Sequence, residues 1–257
     1  MDVQTITTDR GTLSCLVSET DANQTLIFLH GAGSTREVWD AQWRFFKDRV
    51  NVIVPDLPGH GGSPGPVCGS VDSSADVVTG LARRRGTGKY ILIGHSMGGA
   101  IAQKIAIVQP ELIAGLVLIA TGARLRVMPQ VFSSIETDYK QYTALASSVS
   151  MSASADEEAK SAFTRILARV PAKTAYTDFA ACDRFDVMKS TCAIRAKTLI
   201  IAGDSDMMTP LKYAVFLNEH IPDSQLVTVA GAGHMVMMEK PSAVNAALDR
   251  FVTSLGG

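Results

Sequence analysis

Residues 90–108 read YILIGHSMGGAIAQKIAIV, an apolar run followed by a glycine-flanked serine and a second, longer apolar run. Residues 90–93 predict a buried strand, and residues 97–108 predict a buried helix that stops before Pro110. A sharp turn from strand to helix exposes a serine hydroxyl, and glycines on either side remove side chains that would clash there. The stretch therefore predicts that Ser96 is a nucleophile.

Short, continuously apolar runs recur on both sides of this stretch. They occupy residues 25–29, 51–54, 90–93, 115–119, 198–202 and 225–229. Continuous rather than alternating apolar strands are typical of a parallel sheet that is covered by helices on both faces. Two alternating stretches, residues 3–8 and 12–17, predict a hairpin at the start of the sheet. Helical segments separate the later runs, so the expected fold class is α/β with a mostly parallel central sheet.

Helix signals also follow the last two apolar runs. Thr209 and Pro210 predict an N-cap and a first-turn proline before a helix over residues 211–220. Pro241 predicts the start of a final helix.

The alternation of strand and helix stops between residues 122 and 195. This interval has helical periodicity and no convincing strand. It predicts a helical lid, residues 122–195, inserted into a core made of residues 1–121 and 196–257.

Composition narrows the class of protein. The 257 residues suit one large domain with an insertion, and 24 basic against 25 acidic residues leave no electrostatic footprint for nucleic acid or an anionic membrane. No apolar run approaches the roughly 20 residues that span a bilayer, and the first ten residues lack a signal-peptide pattern. The four cysteines lack metal-site spacing, which favours free thiols in a reducing compartment. Together these features predict a cytoplasmic protein, and the expected partner is a small-molecule substrate.

A second glycine-rich loop, His30-Gly31-Ala32-Gly33, directly follows the run at residues 25–29. Backbone N–H groups in such a loop can point at the same developing oxyanion as the N–H at the start of a helix. The expected donors are the main chains of Ala32 and Met97.

A serine needs a base and an orienting acid. His234 is the only one of the five histidines that lies in a loop after a late strand, so it is the expected base. Asp204 and Asp206 both directly follow residues 198–202, and their positions alone do not separate them as the acid.

Taken together, the motifs resemble the α/β-hydrolase superfamily, in particular small carboxylesterases and enol-lactonases. They are HGAG at 30–33, DLPGHGGS at 56–63, GHSMG at 94–98, GDSD at 203–206 before Pro210, and Gly233-His234. The resemblance implies the α/β-hydrolase fold with an inserted helical lid, and it places the acid at the last position of the GDSD motif, Asp206. Members that act on haloalkanes or epoxides use an aspartate nucleophile, so Ser96 disfavours those two reactions.

The resemblance implies hydrolysis of a carboxylic ester or lactone through an acyl-enzyme, with no metal or organic cofactor. The methionines next to the triad predict that the acyl group is small and largely apolar. An acyl thioesterase and a carbon–carbon bond hydrolase use the same three residues and stay open as alternatives. A ligand receptor of the same fold is the alternative outside catalysis.

Expected substrate contacts come from residues next to the triad. Methionine, which is flexible and apolar, follows the acid and the base at Met207 and Met235, among others, and predicts an adaptable apolar wall. Arg124, or Arg126 two positions later, stands where the core passes into the lid and is a candidate for binding a substrate carboxylate or phosphate.

Overall fold

A computed structural model of the chain describes residues 3–86 and 88–256. The eight strands are β1 (Val3–Thr8), β2 (Gly11–Ser18), β3 (Thr25–Leu29), β4 (Asn51–Pro55), β5 (Tyr90–His95), β6 (Ile113–Ile119), β7 (Thr198–Gly203) and β8 (Ser224–Val229). They form one sheet in the order β1-β2-β4-β3-β5-β6-β7-β8. The pairings β1–β2 and β2–β4 are antiparallel, and the other five are parallel. The predicted hairpin and mostly parallel sheet are confirmed.

The described residues also form ten α-helices. They are α1 (Asp40–Phe46), α2 (Val71–Arg85), α3 (Met97–Val108), α4 (Pro129–Thr137), α5 (Tyr139–Ser150), α6 (Glu157–Arg169), α7 (Ala172–Arg184), α8 (Lys212–His220), α9 (Val236–Glu239) and α10 (Pro241–Thr253). Helix α3 has the bounds that its apolar run predicts, and α10 begins at Pro241 as expected.

The core lies on both faces of the sheet because its central strands are buried on both sides. Along β3, Ile27 and Leu29 pack into one hydrophobic cluster, whereas Leu26 and Phe28 pack into the other. Side chains alternate between the faces of a strand, so a continuously apolar run serves two cores at once.

Helices α4 to α7 follow one another between β6 and β7, and we call residues 129–184 the helical segment. Asp138 caps α5 by accepting from the Gln141 amide, and Asp156 caps α6 by accepting from the Glu158 amide. The helical segment lies inside the interval expected to form a lid, and the division of the chain into core and lid stays a prediction.

The N-cap expected at Thr209 is wrong. Helix α8 begins at Lys212, its N-cap residue is Leu211, and no side chain caps it. The Thr209 hydroxyl instead donates to Asp206 Oδ2 at 2.8 Å. A buried carboxylate needs hydrogen-bond donors, and this need determines where the hydroxyl points.

The parallel strands bring distant loops to one edge of the sheet. The carboxyl ends of β3, β5, β7 and β8 meet there, since Leu29 pairs with Gly94, and Gly203 with Val229. This is where open α/β sheets bind ligands. In the part of the chain that the structure describes, no helix is both long and apolar enough to cross a membrane.

Candidate active site

Ser96 sits in a strained turn between β5 and α3. Its φ of 51° lies in the left-handed region, which residues other than glycine seldom adopt. The Ser96 amide donates to the Ile119 carbonyl at 3.0 Å, and the Thr121 hydroxyl donates to the Ser96 carbonyl at 2.8 Å. These bonds to β6 and the residue after it hold the strained backbone in place.

Glycine is required where this turn meets the neighbouring strand. A Cβ on Gly98 would lie 2.2 Å from the Leu29 carbonyl oxygen, and a Cβ on Gly94 would lie 2.2 Å from the Gly98 carbonyl oxygen. The close approach of helix, turn and strand explains why both glycines flank the serine.

His234 and Asp206 form a buried hydrogen-bonded pair. His234 Nδ1 lies 2.8 Å from Asp206 Oδ2, with 4% of the histidine side chain and 0% of the aspartate side chain exposed. A carboxylate only accepts hydrogen bonds, so Nδ1 carries a proton, and in the neutral ring the lone pair is on Nε2. A histidine in this tautomer can act as a base through Nε2.

The Asp206 carboxylate is held ionised by its surroundings. Burial alone would raise its pKa, but the charge and hydrogen bond of His234 and the bonds from Thr209 outweigh burial and lower the pKa below its usual range. The backbone amides of Met208 and Thr209 donate to Oδ1 at 2.8 and 2.9 Å. Thr209 thus holds the Asp206 carboxylate and does not cap a helix, and its position three residues after Asp206 is the spacing of a local side-chain turn.

Asp204, the other candidate for the acid, does not contact the His234 ring. Asp204 is exposed and accepts from the Gly231 amide at 2.8 Å, so it supports the loop that precedes His234 without contacting its ring. The geometry therefore separates two aspartates that their positions in the sequence leave equivalent.

Two backbone amides expected as oxyanion donors lie near Ser96. Ala32 lines the same cavity as Ser96, and Met97 is the first residue of α3. In residues 3–86 and 88–256, neither amide donates to another protein group. Free amides at a helix start and in an adjacent loop are suited to a developing negative charge.

His95 contacts His234, the expected base. Its Nε2 lies 3.0 Å from the His234 carbonyl oxygen, and the two rings are 4.7 Å apart. Burial, together with the charge of His234, lowers the pKa of His95 to about 3, so its ring is neutral and donates to that carbonyl. The sequence offered one signal for this residue, its place directly before the serine.

An apolar cavity of about 220 Å³ opens beside Ser96 and His234. Its walls come mainly from the helical segment, including Tyr142, Phe163 and Phe179. Ser34 adds a buried hydroxyl that has no hydrogen-bond partner in the described residues. The cavity suits a small, mostly apolar group.

The methionines divide between cavity, core and surface. Met235 lines the cavity as expected, and Met208 lines it as well. Met207 is 77% exposed and lies outside the cavity, whereas Met237 is buried in the core. The structure thus puts Met208, one position later, where substrate contact was expected of Met207.

A second cavity of about 50 Å³ also reaches Ser96 and His234. Arg126 lines it and donates from Nη1 to the Asp183 carbonyl at 2.7 Å. Arg124, the arginine expected to contact substrate, lines neither cavity and lies 3.9 Å from the Asp186 carboxylate. A substrate contact by Arg124 has no support in this geometry.

Comparison with known proteins agrees with the fold. A sequence profile described as the alpha/beta hydrolase family matches residues 26–247. The chain is 26% identical over 232 residues, 84% of its length and 90% of the relative's, to a pimeloyl-[acyl-carrier protein] methyl ester esterase of Nitrosomonas europaea.

Solved structures resemble nearly all of the chain, and two of them show the degree of likeness. A thermophilic esterase is 33% identical with a TM-score of 0.88, covering 99% of this chain and 98% of the other. The enol-lactonase of Burkholderia xenovorans LB400 is 18% identical with a TM-score of 0.90, covering 97% and 100%, and at that identity the likeness concerns the fold alone. From the strained serine, the buried histidine–aspartate pair and these matches, we conclude that the chain belongs to the alpha/beta hydrolase family and is a hydrolase.

Proposed function

We propose that this hydrolase cleaves a carboxylic ester or lactone with a small, largely apolar acyl group, through an acyl-enzyme on Ser96. The observation that carries the proposal is the His234–Asp206 pair, which orients the imidazole by its Nδ1 at the cavity that Ser96 also lines. The names of the relatives, a methyl ester esterase and a thermophilic esterase, support an ester bond.

The reaction follows from the atoms at the site. Ser96 Oγ attacks the substrate carbonyl while His234 Nε2 takes the hydroxyl proton, and Asp206 stabilises the resulting imidazolium. The amides of Ala32 and Met97 stabilise the oxyanion. His234 then protonates the leaving alcohol, and a water activated by the same nitrogen releases the acid from Ser96.

The two cavities suggest which part of the substrate lies where. The larger, apolar cavity suits the acyl chain, and the smaller one, which Arg126 lines, suits the leaving group. We infer that Met208 and Met235 contact the acyl chain, since both line the larger cavity.

Labelling with a fluorophosphonate and turnover of an aryl ester panel test the proposal. Wild-type protein should become labelled at Ser96 and hydrolyse short aryl esters, whereas Ser96→Ala should do neither. A parallel panel of thioesters and of vinylogous diketones tests the thioesterase and the carbon–carbon hydrolase. Faster turnover of either panel would replace the ester, and binding without any turnover would support the receptor alternative.

A further inference from the structure

A buried ion pair lies beneath the loop that carries Ala32, outside the triad. His60 Nε2 lies 2.7 Å from Asp178 Oδ2, with 1% and 3% of the two side chains exposed. His60 comes from the glycine-rich loop after β4, and Asp178 comes from α7 in the helical segment. This side-chain contact therefore ties helix α7 to the core. It belongs neither to the hydrogen bonding of the sheet nor to the triad.

The same carboxylate oxygen also holds the predicted oxyanion loop. The Gly33 amide donates to Asp178 Oδ2 at 2.8 Å, one peptide unit after Ala32. The packing is tight here, because a Cβ on Gly33 would lie 3.3 Å from Ala175 Cβ on α7. Asp178 thus fixes the peptide plane adjoining the amide that we assign to the oxyanion.

The protonation of His60 follows from its partners. Its Nδ1 lies 3.1 Å from the Pro58 carbonyl oxygen and its Nε2 faces the Asp178 carboxylate, so both neighbours can only accept. Both ring nitrogens consequently carry protons, which makes His60 an imidazolium paired with an ionised Asp178. Nearby His30 stays neutral, since its Nε2 accepts from the Leu57 amide at 3.0 Å.

Charge neutrality matters at this position. An isolated carboxylate next to the oxyanion loop would destabilise the negative charge of the transition state. Paired with an imidazolium, the carboxylate can accept from Gly33 without adding net charge.

Resting on the proposed function, we propose that Asp178 is a positioning residue for the oxyanion loop and that His60 neutralises its charge. The pair makes the rate of the chemical step depend on contact between α7 and the core. Phe179, the next residue of α7, lines both cavities, so the same helix turn shapes the substrate site and holds the loop.

Charge-matched variants test this proposal. In His60→Gln the side chain still donates to Asp178 but the positive charge is lost, whereas His60→Gln/Asp178→Asn is neutral throughout and keeps the hydrogen bonds to residue 178. We expect His60→Gln to lower kcat on a short aryl ester about tenfold, with KM changed by less than about threefold. The double variant should recover kcat to within about threefold of wild type. A purely structural role predicts that the double variant is worse than either single one.

Two variants of Asp178 separate the effect of its hydrogen bond from the effect of its charge. Asp178→Asn keeps an acceptor for the Gly33 amide and should lose less kcat than Asp178→Leu, for which we expect at least about a tenfold loss. Asp76→Asn, an exposed aspartate on α2, is the control for loss of a carboxylate and should leave kcat unchanged. Thermal midpoints show that each protein is folded, and if Asp178→Leu does not fold, the His60 pair decides alone.

The outcomes are distinct. No rescue in the double variant, or kcat within twofold of wild type in both His60→Gln and Asp178→Leu, overturns the positioning role. Wild-type protein that neither turns over esters nor labels at Ser96 overturns the proposed function, and this inference with it.

Discussion

At the scale of single residues, the site depends on how a buried carboxylate is satisfied. Asp206 accepts from two backbone amides, from the Thr209 hydroxyl and from His234. With this many donors the charge stays on the aspartate, and the proton of the pair stays on His234 Nδ1. Asp204, two residues earlier, accepts from the Gly231 amide and from the Ser205 hydroxyl and does not contact His234.

Asparagine substitutions at these two positions should differ strongly. Asp206→Asn should lower kcat on the order of a thousandfold or more, because the amide favours the histidine tautomer whose Nε2 is protonated. Asp204→Asn is the matched control and should keep kcat within about threefold, since a substitution at an exposed site changes little. Steady-state rates on one aryl ester measure both, and the reverse order of effects would make Asp204 the acid.

Alanine substitutions at the two arginines should also differ. Arg126 lines the smaller cavity and Arg124 does not. On esters whose leaving group carries a carboxylate, Arg126→Ala should lower kcat/KM by about fivefold. This corresponds to the loss of an ionic contact worth about 1 kcal/mol at an exposed site. Neutral esters and Arg124→Ala supply the controls. Equal effects of Arg126→Ala on anionic and neutral esters would argue against anion binding there.

At the scale of elements, the helical segment both encloses the cavity and holds the loops. The Ser150 carbonyl, at the end of α5, accepts from the His234 amide at 2.7 Å. Glu239 accepts from the amides of Gly233 and Ser152, which ties the His234 loop to the residues after α5. Together with the Asp178 bond to Gly33, these contacts make the positions of the His234 loop and the Ala32 loop depend on the helical segment.

The wall supplied by α6 should limit the length of the acyl chain. On p-nitrophenyl esters, kcat/KM should rise about fourfold per methylene, or about 0.8 kcal/mol, until the cavity is full and then fall. Phe163→Ala removes a cavity-lining ring and should move the optimum to longer chains. Phe132→Ala, whose ring packs 5.2 Å from Tyr176 and lines neither cavity, should leave the optimum in place. A kcat/KM that is highest for acetate, or that keeps rising up to palmitate, contradicts this view.

The link between α7 and the core should weaken in alkaline solution. Burial opposes the charge of His60, but its bond to Asp178, the Asp178 charge and the Pro58 and Leu57 carbonyls raise its pKa above 6.5. Because this pKa is higher in the folded state, protonation of His60 stabilises the folded protein. The stabilisation is complete below the unfolded-state pKa and is lost as the pH rises through the folded-state pKa.

Thermal midpoints across the pH range measure this loss. The difference in midpoint between wild type and His60→Gln should shrink from pH 6 to pH 9.5, and the difference for Asp76→Asn should stay constant. Burial shifts the pKa of several titratable groups near the pair away from neutral pH. Burial lowers the pKa of His30 to about 3, raises that of Tyr139 to about 12, and raises those of Cys68 and Cys182. A midpoint difference for His60→Gln that is constant with pH would argue against a charged His60.

At the scale of the whole molecule, a stable sheet supports a strained site. The central strands are buried on both faces, and Ser96 is held at φ 51° between β5 and α3. Such strain costs about 1–3 kcal/mol and persists because the surrounding structure determines the backbone.

Two substitutions at Ser96 should separate activity from stability. Ser96→Ala should abolish turnover and leave the fold intact, because alanine keeps the strained turn. Ser96→Gly should abolish turnover too, but it relieves the strain and should raise the thermal midpoint about 2–4 °C above that of Ser96→Ala, or about 1 kcal/mol. Circular dichroism during heating measures this, and equal midpoints would mean that the turn stores no strain.

Most of the fold could be predicted from the sequence because the signals are local. Continuous apolar runs mark the strands of a doubly covered sheet, and the glycines around Ser96 mark a turn that no other residue type permits. Parallel strands then bring the loops after β3, β5, β7 and β8 to one edge, so Ser96, His234 and the aspartates were predictable as neighbours.

The tertiary structure decided which of several adjacent side chains face the site. Asp206 rather than Asp204 bonds His234. The cavities are lined by Met208 rather than Met207, and by Arg126 rather than Arg124. The direction of a side chain in a loop depends on packing rather than on periodicity. The His60–Asp178 pair joins residues 118 positions apart. No local pattern encodes that contact, since it exists only once α7 has docked on the loops and excluded water from both charges.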